Sequence, residues 1–108
     1  MLNNLFAILD QSGLQSTYGK WSPASPPSLP YLVVMESARD DLYADGSHYK
    51  KFYNFTIELY FAKKDPLVEE ALEGLFDAND ISWSVGDDIY IDTDRYFERP
   101  YYIEMEEK

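Results

Sequence analysis

Acidic side chains are the most numerous groups in this sequence that could carry chemistry, with 20 Asp and Glu among 108 residues. Paired carboxylates bind Mg²⁺ or Ca²⁺ in some proteins and share a catalytic proton in others. Asp40-Asp41 followed by Asp45-Gly46 lacks the alternating ligands and terminal Glu of an EF-hand loop, and Asp92-Thr93-Asp94 has no companion motif. These clusters are therefore expected to be solvated loop charge, and we predict neither a metal site nor a cofactor.

Nucleophilic catalysis has little support in the chain. His48 is the only histidine, cysteine is absent, and neither a Gly-x-Ser-x-Gly motif nor a glycine-rich phosphate loop is present. Trp21 and Trp83 could stack on a nucleic-acid base, but the net charge of −11 opposes contact with phosphates. We therefore predict that the protein is not an enzyme and does not bind nucleic acid specifically. Both tryptophans are expected in the core or in an interface.

A strand and the helix that follows it should position most of the chain. Apolar residues alternate along Tyr49–Phe61, which is typical of a strand with one buried face. Asp65 then offers an N-cap oxygen, and Pro66 suits the first helical position. An apolar stripe follows at helical spacing, formed by Val68, Ala71, Leu72, Leu75 and Phe76. This pattern leaves four acidic side chains on the solvent side of the helix: Glu69, Glu70, Glu73 and Asp77.

The other elements are predicted from the same periodicities. Met1–Ser12 indicates an amphipathic helix that ends before Gly13. Further strands are expected at Ser16–Trp21, Tyr31–Glu36, Ile81–Val85, Ile89–Ile91 and Tyr96–Met105. Pro100 removes a backbone donor from the last of them, which indicates an edge strand or a bulge. Ser22–Pro30 and Ser37–His48 are expected to be loops, and the second is longer than a simple hairpin requires.

This order predicts an α+β fold, α-β-β-β-α-β-β, with a mostly antiparallel sheet and both helices packed on one face. A chain of 108 residues is the size of one domain, here residues 1–108. The predicted core consists of Leu5, Phe6, Leu9, Val33, Phe55, Ile57, Leu59, Leu72, Leu75 and Phe76. Because no cysteine, signal peptide or membrane-spanning apolar stretch is apparent, we expect a soluble protein made in the cytoplasm.

Several short motifs resemble a known family. They are Met1-Leu2-Asn3-Asn4-Leu5, Tyr18-Gly19-Lys20, Pro30-Tyr31, Tyr43-Ala44-Asp45, Tyr53-Asn54-Phe55-Thr56-Ile57-Glu58-Leu59-Tyr60 and Lys63-Lys64-Asp65-Pro66. In this order they resemble the small neck proteins of siphophages and prophages of Gram-positive bacteria, in particular the tail terminator or tail-to-head joining group. The resemblance covers most of the chain and includes no catalytic signature.

The resemblance implies a structural virion protein of the phage neck. Such a subunit closes into a hexameric ring, ends tail polymerisation and joins the tail to the head connector. Its implied partners are further copies of itself, the tail tube protein and the connector or stopper protein, with DNA passing through the bore and no membrane contact. The ten tyrosines are compatible with this role, because aromatic residues are favoured at protein interfaces.

Two sets of residues are candidates for these contacts. We predict that Arg39, Asp40, Asp41, Leu42 and Tyr43 form an arm that reaches a neighbouring subunit or the connector. We also predict that Glu69, Glu70, Glu73 and Asp77 line the bore, where like charge would let DNA pass. The alternatives are another head-completion or minor tail protein, an acidic DNA mimic that inhibits a host nuclease, and a weak metal-dependent enzyme.

Overall fold

Two helices and seven strands follow one another in a computed structural model that describes residues 1–21, 27–44 and 46–107. In chain order they are α1 (Leu2–Asp10), β1 (Gln15–Tyr18), β2 (Tyr31–Glu36), β3 (Leu42–Ala44), β4 (Ser47–Phe61), α2 (Pro66–Ala78), β5 (Ser82–Val85), β6 (Ile89–Ile91) and β7 (Tyr96–Glu107). The predicted fold class and element order are confirmed, β6 coincides with the predicted strand Ile89–Ile91, and β3 is a short additional strand. Most of the predicted loop Ser22–Pro30 falls on residues 22–26, which lie outside the described residues.

The long strand β4 is the centre of the sheet. It pairs antiparallel with β2 on one side and with β7 on the other. The pairing with β7 runs from Lys51↔Glu107 to Phe61↔Phe97. The full strand order is β1-β2-β4-β7-β5, with β3 added beside β4 and β6 beside β7. Only the β1–β2 pair is parallel among the described strands. The sheet is therefore mixed but mostly antiparallel.

Both helices pack on the same face of this sheet and bury the core between them. Eight of the ten predicted core residues are buried, while Phe6 and Leu75 are half-buried. Val33 is buried on the opposite face, because its neighbours Leu32 and Val34 pair with Leu59 and Ile57 beneath the helices. A continuous apolar run such as β2 has no period-two signal, so sequence alone did not indicate which residues face the helices.

Helix α2 begins as predicted but presents a different face to the sheet. The Asp65 side chain accepts a hydrogen bond from Leu67 N at 3.1 Å, with Pro66 as the first helical residue. Leu72 and Phe76 are fully buried, yet Ala71 is exposed and Glu69 is buried. The prediction that Glu69 lies on the solvent side is therefore wrong, and the reason is a cation on the sheet beneath it.

The prediction that Pro100 marks an edge strand or a bulge is wrong, because β7 is an inner strand whose register with β4 is unbroken from Lys51↔Glu107 to Phe61↔Phe97. Its outer partner is interrupted between Val85 and Ile89, and Gly86 N donates to Pro100 O at 2.9 Å across the gap. Because the N–H and C=O of a residue in an antiparallel strand point the same way, the donor that proline lacks would have faced this gap. A Cβ on residue 86 would lie 2.8 Å from Pro100 Cγ, so the turn requires glycine.

Among the described residues, no helix is both long and apolar enough to cross a bilayer.

Candidate interaction surfaces

The second half of the segment predicted to be a long loop, Ser37–His48, belongs to a hairpin, while residues 37–41 are a loop as predicted. Leu42 pairs with Lys50 and Ala44 with Ser47, and Gly46 between them has a positive φ of 77°. The loop prediction is wrong from Leu42 onward, because Asp-Gly between two strand-forming stretches is itself a two-residue hairpin signal. We call the paired segments Leu42–Ala44 and Ser47–Lys50 the ribbon.

The ribbon extends beyond the body of the sheet. The last pair between β4 and β7 is Lys51↔Glu107, so Ser47–Lys50 pair only with β3 in the described part of the chain. Four residues of strand correspond to an extension of about 14 Å. Leu42 and Tyr43 are 51% and 64% exposed on it, which is unusual for large apolar side chains. The side chain of His48 lies outside the described residues.

The residues that precede the ribbon fix its base. Ser37 N donates to Asn54 O and Asp40 N to Phe52 O, so this stretch follows β4 closely. Asn54 Nδ2 also donates to Asp40 Oδ2 at 2.9 Å. Arg39 forms a 2.7 Å ion pair with Asp41 and donates to the Tyr53 hydroxyl at 3.1 Å. Of the five predicted arm residues, Arg39, Asp40 and Asp41 therefore hold the base, while Leu42 and Tyr43 form the exposed surface.

Two of the four acidic residues of the helix, Glu69 and Glu73, are paired with groups of the same chain. Glu69 is only 6% exposed, with Lys64 Nζ at 2.7 Å and Arg99 Nε at 3.7 Å from its two carboxylate oxygens. Glu73 accepts a 2.6 Å hydrogen bond from the Tyr101 hydroxyl and lies 3.5 Å from the Arg99 guanidinium. Arg99 is on the helix-facing side of β7, and its charge explains why these two acidic residues turn toward the sheet. Neither carboxylate is presented to solvent as the bore prediction requires.

Asp88 completes this group, which we call the Arg99 network: Lys64, Glu69, Glu73, Asp88, Arg99 and Tyr101. Asp88 lies 2.8 Å from Lys64 Nζ and 3.2 Å from the Arg99 guanidinium. Burial acts to raise the pKa of Asp88, but the hydrogen bonds from the two cations outweigh it and lower that pKa. The network joins α2, the β5–β6 turn and β7, so its role is to hold three elements together.

Two of the four predicted bore residues keep an exposed carboxylate. Glu70 is exposed, and Asp77 is exposed while accepting a 2.8 Å hydrogen bond from Trp83 Nε1. The Trp83 ring packs against Phe76 and Tyr101 at the edge of the core, as predicted. A row of four phosphate-like charges, as a DNA mimic would need, is therefore not formed by this helix.

The open face of the sheet carries a pair of carboxyl groups that sequence reasoning did not identify. Glu58 on β4 and Glu98 on β7 interact there, and the Tyr60 hydroxyl donates to Glu58. Burial, together with the hydrogen bond and charge of Glu58, raises the pKa of Glu98 to about 7. The Glu98 carboxyl therefore remains protonated up to about neutral pH. A row of aromatic rings with centroids 5.4 to 5.7 Å apart lies beside it, formed by Trp21, Tyr31, Tyr60 and Tyr96.

This pair predicts a pH-dependent stability. Because Glu98 has a higher pKa folded than unfolded, the folded protein binds more protons between about pH 4.5 and 7, and stability falls as pH rises through that interval. With allowance for solvent screening, we expect the free energy of unfolding to fall by about 1–2 kcal/mol across this interval. Urea unfolding measured from pH 5 to 8 should show that the free energy of unfolding falls with pH in the native protein. It should depend less on pH in Glu98→Gln. Glu104→Gln, on the same face, should keep the native slope, and parallel curves for the native protein and Glu98→Gln would refute the assignment.

Paired carboxylates also suit metal binding, but within residues 1–21, 27–44 and 46–107 no group of three or more His, Cys, Asp or Glu is placed to hold a metal ion.

No family model matches the chain, and no curated protein matches it. Function is therefore inferred from the surfaces described above and from the sequence resemblance.

Proposed function

We propose that this chain is a structural subunit of the phage neck, of the tail-terminator kind, which associates with copies of itself into a ring. The ring would cap the tail tube, end tail polymerisation and join the tail to the head connector. It would be assembled in the host cytoplasm and retained in the virion. The short sequence motifs that resemble tail terminators supply the identity of the assembly, and the α+β fold is compatible with it.

The observation that carries the proposal is the exposed ribbon. Leu42 and Tyr43 lie on a two-stranded extension whose base is fixed by Arg39, Asp40 and Asp41. A large apolar side chain held in solvent on a fixed extension gains free energy when another protein surface covers it. A pre-formed extension also loses little conformational entropy on binding, which favours association. The geometry therefore favours contact with another protein chain over catalysis or binding of a small ligand.

Fewer acidic residues of α2 could line the bore of the ring than the sequence pattern indicated. Glu69 and Glu73 are paired within the chain, so acidic lining from α2 would come from Glu70 and Asp77. Their repulsion of DNA is screened within about 8–10 Å at physiological salt, so only carboxylates close to the bore would act. A ring structure with both residues on its outer rim would exclude this part of the proposal.

Substitution of the ribbon surface tests the proposal. The double variant Leu42→Ser/Tyr43→Ser should remain folded, because exposed substitutions typically change stability by only about 0.5 kcal/mol. It should lose the ability to form rings in sedimentation velocity and to complete tails in an assembly extract. The control is Leu67→Ser on α2, which removes a leucine that is 75% exposed and lies outside the ribbon. Normal ring formation by the ribbon variant would show that the ribbon is ordinary surface.

A further inference from the structure

A second exposed apolar surface lies at the outer edge of the sheet. Val85, Ile89 and Tyr90 are exposed there, on β5 and β6. Both strands pair with β7 alone among the described strands, so their outer backbone groups face away from the sheet. An exposed strand edge is a template for pairing with another strand. We call residues 82–91 the β5–β6 edge.

The ribbon and β6 lie at opposite ends of β4, while β5 lies level with Asn54–Ile57 in its middle. The ribbon contains the start of β4 at Ser47–Lys50, whereas β6 lies beside Phe97 and Glu98, which pair with Phe61 and Tyr60 at the end of β4. Ten residues of strand separate the ribbon from β6 by about 33 Å. One copy of the chain therefore cannot cover its own Ile89 with its own ribbon.

The ribbon and the β5–β6 edge each carry a charged side chain of opposite sign. Lys50 is on the ribbon, and Asp87 is exposed in the turn between β5 and β6, whereas Asp88 beside it is held by Lys64 and Arg99. Lys50 lies 3.3 Å from Glu106 at a partly exposed position, where such pairs contribute little. Asp87 of a second copy can therefore compete with Glu106 for Lys50.

We infer that the ribbon of one copy adds to the β5–β6 edge of the next copy, with Leu42 packed against Ile89. Backbone hydrogen bonds would supply affinity, and the apolar and charged side chains would supply specificity. Because two different surfaces meet, the contact repeats head to tail, and it closes into a ring when the rotation per subunit allows. This inference rests on the proposed ring and names the contact that forms it.

Engineered cysteines test the contact directly, because the native chain has none. Leu42→Cys and Ile89→Cys chains would be purified separately, mixed and treated with a bismaleimide crosslinker whose reach tolerates a small register shift. We expect covalent dimers in the mixture and not in either variant alone. The double variant Leu42→Cys/Ile89→Cys should give a ladder of crosslinked multimers. Leu67→Cys mixed with either chain is the control and should remain uncrosslinked.

Two outcomes would overturn this inference, and both are distinguishable from failure of the proposed function. Dimers formed by Leu42→Cys alone would show that ribbons meet each other in a two-fold contact. If rings are detected by mass but positions 42 and 89 do not crosslink, the proposed ring stands and its subunits meet through a different interface. If the native protein is a monomer at all concentrations and no crosslink forms, the proposed function fails together with the contact.

Discussion

Replacing Leu72 or Leu59 with alanine should lower the free energy of unfolding by about 2–5 kcal/mol. Both side chains are buried in the core between the helices and the sheet, Leu72 from α2 and Leu59 from β4. The loss combines the transfer free energy of the removed methyl groups with the cost of the cavity that remains. Urea unfolding followed by circular dichroism measures it.

Leu67→Ala is the matched control for this prediction, because the same chemical change is made on α2 at an exposed position. It should change stability by only about 0.5 kcal/mol. Losses below that value at both Leu72 and Leu59 would mean that the helix and sheet faces are assigned incorrectly.

Replacing Arg99 with methionine should cost about 2–4 kcal/mol, somewhat less than the loss of a partner from a fully buried ion pair. The Arg99 side chain is 18% exposed and approaches Glu69, Glu73, Asp88 and Tyr101. Without it, the buried Glu69 carboxylate retains Lys64 as its one cation among the described residues, and the β5–β6 turn loses an ion pair to β7. Thermal and urea unfolding of the variant measure the loss.

Two companion variants separate charge from packing in this prediction. Arg39→Met removes an arginine from an exposed ion pair and should have a much smaller effect. Arg99→Met/Glu69→Leu removes the stranded carboxylate together with its cation and should recover part of the lost stability. If Arg99→Met is no more harmful than Arg39→Met, the Arg99 network does not stabilise the fold.

The parts of the fold that sequence predicted are those with a strong local signal. Alternating apolar residues located β4 and its buried face, and Asp65-Pro66 located the start of α2, because period and capping depend on neighbouring residues alone. Pro100 indicated a position in β7 that lacks a backbone donor, and the gap between β5 and β6 lies opposite it. These features needed no knowledge of what packs against them.

The parts that sequence missed depend on distant partners, with one exception. Glu69 and Glu73 turn toward the sheet because of Arg99, which is distant in sequence and forms no local pattern with them. The Glu58–Glu98 pair depends on the register between β4 and β7, which periodicity does not give. The exception is the hairpin before β4, for which Asp45-Gly46 was a sufficient local signal.

Self-association is the central claim, and the mass of the purified native protein tests it most directly. Native mass spectrometry and negative-stain microscopy at low and high concentration should show a closed ring, expected from the resemblance at about six times the 12.6 kDa of one chain. Rings should grow more populated as concentration rises. A mass of one chain at every concentration, with no ring in the images, would contradict the proposal.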